Sequence, residues 1–107
     1  MSLTESQVSA TRAELAENLA RSGWTPTQLA QALGVAEERI IHALAVDGSR
    51  PADVWLVRDA LDVIIVDSGD KPARYSALTE SDRAAARGWF GVSTPAEVRE
   101  RLTHRPG

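Results

Sequence analysis

Residues 25–44 read TPTQLAQALGVAEERIIHAL, and this stretch decides how the rest of the chain is understood. Thr25 stands three residues before Gln28, so its hydroxyl is set to accept from the Gln28 amide while the Gln28 side chain reaches back. Pro26 falls at the first helical position, where a missing N–H costs nothing. A helix over about 26–33 is predicted, ending where Gly34 permits the left-handed backbone of a helix exit and Val35 tucks under the turn. Glu37 and Glu38 then occupy a first turn whose dipole favours carboxylates, and Ile40, Ile41, Ala43 and Leu44 are expected as the buried stripe of a second helix over about 36–46. Ala30 is small where two helices would cross closely, and Leu29, Leu33, Val35 and Ile40 form the wedge between them. Two short helices around such a corner make a helix-turn-helix.

Working outward, Thr4-Glu5-Ser6-Gln7 repeats the capping logic. It predicts a helix over about 5–22, carried by Val8, Leu15 and Leu19 with Ala10, Ala13, Ala16 and Ala20, and interrupted by Ser22-Gly23. Downstream, Asp47-Gly48 stops the second motif helix. Asp53, Val54, Val57, Leu61, Ile64 and Ile65 keep a helical spacing and predict a helix over 52–67. The β-branched run Val63–Val66 also fits a short strand paired with 74–76 as a hairpin wing, a reading set second to the helix. Residues 79–87 fit a short helix, and Thr94-Pro95-Ala96-Glu97 caps another over about 95–103. The expectation is one all-α domain over 1–107, a bundle of four core helices with one or two short C-terminal helices, the extension being 79–104.

Composition limits the function. With 43% apolar and 25% charged residues in 107, the chain suits a soluble domain with one modest core. It has no cysteine, which removes disulfides and thiolate sites. No apolar run nears the roughly 20 residues of a membrane span, and Met1-Ser2-Leu3-Thr4 lacks a signal-peptide pattern, so a cytoplasmic protein is expected. Neither a glycine-rich phosphate loop nor a serine elbow is present, and no histidine-carboxylate pair sits near a nucleophile. A binding protein without catalysis or cofactor is expected. Charge is uneven: residues 1–35 carry a net −1, 36–70 a net −5 and 71–107 a net +3. Proteins that grip DNA place cations against phosphate, yet here the helix expected to touch DNA lies in the acidic third.

Leu15-Ala16, Gly23-Trp24-Thr25, Gln28-Leu29-Ala30, Leu33-Gly34-Val35, Ile40 and Arg50-Pro51 together resemble the lambda repressor and Cro-like superfamily. Trp55, Gly69, Pro72 and Tyr75, following the motif, make the whole chain similar to an uncharacterised bacterial domain-of-unknown-function family, family 2316. The superfamily resemblance implies a lambda-repressor-like bundle in which Glu37, Glu38, Arg39 and His42 face base edges in the major groove while Thr27 and Gln28 approach phosphates. Paired glutamates depart from the amides, hydroxyls or cations common at those positions: a glutamate can accept from cytosine N4 but repels phosphate.

Two readings follow. One is a dimeric, sequence-specific DNA-binding regulator contacting DNA through Thr27, Gln28, Arg39 and His42. The other is a protein-interaction module on the same scaffold, whose acidic helix engages a basic partner, since fold does not fix function. Glu37 and Glu38 also serve simply as dipole-complementing residues. Glu38 and His42 are four apart and share a face, but two ligands without a third do not make a metal site. Arg74, Arg83, Arg87, Arg99, Arg101 and Arg105 form a basic C-terminal third that either meets phosphates or neutralises the acidic middle, and His104 reads as part of that solvated end. Trp24, Trp55 and the Trp89-Phe90 pair are core by default. Trp89, Phe90 and Val92, lying in the extension, are the expected homodimer contact.

Overall fold

Reciprocal caps start the first two helices where the sequence requires them. In the computed structural model, which describes residues 4–46 and 51–77 together with Val98, Glu100 and Leu102, α1 spans Glu5–Ser22. Thr4 Oγ1 accepts from the Gln7 N–H at 3.2 Å, and Gln7 Oε1 accepts from the Thr4 N–H at 2.9 Å. α2 spans Pro26–Leu33 with the same box from Thr25 and Gln28, at 3.2 and 2.9 Å. Gly34 follows at φ 70°, and the Val35 N–H closes back on the Ala30 carbonyl at 3.1 Å, so the helix exit satisfies its own last turn. α3 spans Glu37–Ala45, one residue shorter at each end than expected, between Ala36 and Val46. α4 spans Pro51–Asp67.

α2 packs on α3, while α1 and α3 both pack on α4. Leu15, Leu29, Ile40, Val57 and Leu61 are fully buried where these helices meet. The expected wedge is therefore formed: Leu29, Ala30, Leu33 and Ile40 are buried, and Val35 packs against them. α4 departs from an amphipathic pattern because every residue from Asp53 to Leu61 is buried. A helix covered all round is central to its domain. Val98 is fully buried in the same cluster and Leu102 packs on it, and residues 98, 100 and 102 are helical, as the expected C-terminal helix over 95–103 requires.

The charges inside α4 are compensated. Arg58 Nη1 lies 3.0 Å from Asp59 Oδ1 and 3.1 Å from Asp62 Oδ2. Its guanidinium sits 5.4 Å from the Trp55 ring centre and 4.8 Å from that of Tyr75. A buried cation is tolerable only with such partners.

The alternative hairpin wing does not form. α4 stays helical to Asp67, regular structure among the described residues is helical throughout, and the backbone of residues 71–76 is bonded to α1 side chains instead of a strand. The Ala73 N–H donates to Asn18 Oδ1 at 2.6 Å, and Asn18 Nδ2 donates to the Ala73 carbonyl at 3.1 Å. Arg21 Nη1 donates to the Lys71 carbonyl at 3.0 Å, and Glu14 accepts from Ser76 N–H at 3.1 Å and Ser76 Oγ at 2.8 Å. Residues 14, 18 and 21 share one helical face, so this strap is sewn along α1 and seats Tyr75 over Arg58. The expected 79–87 helix lies outside the described residues.

Candidate functional site

The corner at Gly34 holds α3 with Ile40 and Ala43 inward and leaves the opposite face exposed. Residues three and four apart share a helix face, and Glu37, Glu38, Ile41 and His42 make up that outer side. Ile41 was expected in the buried stripe. It is 48% exposed, because the 40-43-44 stripe already fills the wedge and residue 41 is turned about 100° from residue 40.

The six positions singled out for DNA contact are all exposed but put to different uses. Thr27 is exposed, and its hydroxyl donates to the Glu37 carboxylate, tying the start of α2 to the start of α3. Gln28 is exposed and spends its side-chain oxygen on the Thr25 N–H. Arg39 reaches sideways to α4, where its Nη2 meets Asp53 Oδ1 at 2.6 Å and its Nε meets Asp53 Oδ2 at 3.1 Å. The two-point fork fixes the plane of the guanidinium, and the hydrogen bonds and charge of Asp53 raise the Arg39 pKa above its ordinary value. Glu38 and His42 are exposed, and their side chains make no hydrogen bond or ion pair among the described residues.

The face therefore presents two carboxylates, an isoleucine and an imidazole, while the one arginine of α3 is drawn off to a neighbour. Such a surface attracts cations and apolar groups and repels phosphate. No cluster of three or more metal-ligating side chains occurs among the described residues. Of the basic residues in the C-terminal third, Lys71 and Arg74 are described and exposed. The others, and the Trp89, Phe90 and Val92 contact, lie outside the described residues. No helix among the described residues is long and apolar enough to cross a membrane.

Asp53 and Ile41 were not expected at this site. Asp53 read as one more position on the α4 stripe; a carboxylate on an otherwise apolar face, opposite an arginine on the preceding helix, was the available signal.

The family model for uncharacterized proteins conserved in bacteria matches residues 1–91. The chain belongs to that family, DUF2316. The match takes in all four helices and the strap, so the α3 face and its supporting fork are placed within the family's extent. No curated protein and no solved structure matches the chain.

Proposed function

We propose that this member of DUF2316 is a binding protein on a lambda-repressor-like helix-turn-helix scaffold, and that the outer face of α3 docks on a basic, partly apolar surface of a partner protein. The observation that carries the reading is the diversion of Arg39 to Asp53, which leaves Glu37, Glu38, Ile41 and His42 as the outward surface. Ile41 supplies the desolvated centre of such a contact and the glutamates its complementary rim. The proposal includes no catalytic step and no cofactor.

DNA recognition is the second reading, favoured by the Gly34 corner and by the exposure of Thr27, Gln28 and His42 on the side a major groove would meet.

One experiment separates the two. A photo-crosslinking residue in place of Ile41 identifies the bound partner in cells, and the purified partner is then titrated with wild type, Glu38→Gln and Ile41→Ser. Ile41→Ser is expected to weaken docking by about tenfold, as loss of a contact near an interface centre does, and Glu38→Gln to weaken it by a smaller, salt-dependent amount. Undiminished binding by both variants, or enrichment of one duplex sequence when wild type is selected against random DNA, would overturn the docking reading.

A further inference from the structure

We infer that Asp53 is a specificity-determining residue of the α3 face: by holding Arg39 against α4 it strips that face of its cation and turns it away from polyanions. The inference rests on the docking reading above and names the residue that sets its selectivity.

The geometry points to Asp53 as the anchor and Arg39 as the group that moves to meet it. Asp53 lies in the first turn of α4 with a side chain only 10% exposed, whereas the Arg39 side chain is 47% exposed. Both carboxylate oxygens are occupied by the fork, at 2.6 and 3.1 Å. Arg39 stands three residues before His42, so a guanidinium released from Asp53 has the outer side of α3 within reach of its flexible stem. There it sits beside the very positions at which a helix-turn-helix meets nucleic acid. With Asp53 in place, that cation is committed; without it, α3 presents an arginine among its histidine and two glutamates, a less acidic face.

The test uses random-sequence duplex DNA as a polyanion probe at low ionic strength, read by fluorescence anisotropy on the full chain. Asp53→Ala is compared with Asp70→Ala, which removes the same charge from an exposed position outside the site. Asp53→Ala is expected to bind about three- to tenfold more tightly than the Asp70→Ala control, the scale of one added phosphate contact. Arg39→Ala should abolish that gain in the Asp53→Ala background and leave wild type nearly unchanged. Equal affinity of Asp53→Ala and Asp70→Ala, or a gain that survives Arg39→Ala, overturns the inference. If Asp53→Ala melts too low to assay, Asp53→Asn is judged by the same criteria. The readout is polyanion affinity, so its failure leaves partner docking standing, and failure of docking is read separately from the Glu38 and Ile41 variants.

Discussion

Replacing Asn18 by alanine tests whether the strap is held as described. Asn18 is fully buried and makes two hydrogen bonds to Ala73, accepting at 2.6 Å and donating at 3.1 Å. Each such bond contributes about 0.5–1.5 kcal/mol net, and orphaning a buried backbone group costs more. The strap can lift and solvate its freed groups, which caps the loss, so about 2–3 kcal/mol is expected. For a chain of this size that is a fall of roughly 10–20 °C in Tm. Urea unfolding followed by tryptophan fluorescence gives the number. Hydrogen exchange should show the Ala73 amide exposed well before the α4 core. Asn18→Asp sharpens the case, because it keeps an acceptor, loses the donor and buries a carboxylate close to Glu14. The folded state then favours the protonated carboxyl, raising its folded pKa. Stability is expected to be greatest below the ordinary carboxylate pKa of about 3.9 and to be lost as pH rises through the raised folded value. A loss under 0.5 kcal/mol for Asn18→Ala, or a pH-independent Asn18→Asp, would refute the reasoning.

Perturbations at two further residues follow from the same geometry. Burial pushes the Tyr75 phenol well above its ordinary pKa, the nearby Asn18 amide opposing only in part, so the unfolded chain ionises first. Stability should be intact below pH about 10 and fall as pH rises beyond it. Tyr75 is the sole tyrosine, so the ultraviolet tyrosinate band reports this group alone; titration at the ordinary value in the folded protein would contradict its burial. Among the described residues the buried Tyr75 hydroxyl has no hydrogen-bond partner, so Tyr75→Phe should cost no more than about 0.5 kcal/mol at neutral pH, with the alkaline slope reduced. Gly34 has φ 70° and open space where a Cβ would lie. Gly34→Ala should therefore cost only backbone strain, about 1–2 kcal/mol in urea titration, and Gly34→Asn less; a larger loss would mean that the corner is sterically crowded.

Where local chemistry decides structure, the sequence was legible. The Thr4–Gln7 and Thr25–Gln28 boxes and the glycines at 23 and 34 placed the limits of α1 and α2, because each signal acts within four residues. What could not be read depends on contacts far apart in the chain. Asn18 and Thr11 are polar, so nothing local marks them as buried; Asn18 is inside because residues 55 positions away need its amide. Arg58 looks like a surface residue until Asp59, Asp62, Trp55 and Tyr75 are brought around it. The Val63–Val66 run was ambiguous because its β-branched residues suit strands, and tertiary burial on α4 overrides that preference. At the candidate site the residue types were right and their commitments were not visible, since Thr27 and Arg39 each found an acid on another helix.

Those commitments narrow what the α3 face can recognise. Of its nine residues, Ile40 and Ala43 face the core, Leu44 and Ala45 are half-buried, Glu37 is engaged by Thr27, and Arg39 is engaged by Asp53. Glu38, Ile41 and His42 remain, on adjoining turns of one exposed side. Polyanion binding draws its strength from cations set against phosphate, and this remainder offers one carboxylate, one apolar group and an imidazole. Release of Arg39 would add a single cation beside them. A cationic group flanking an aliphatic contact complements Glu38 and Ile41 as they stand, and this is the ground on which docking to a basic protein surface is proposed ahead of a nucleic-acid groove.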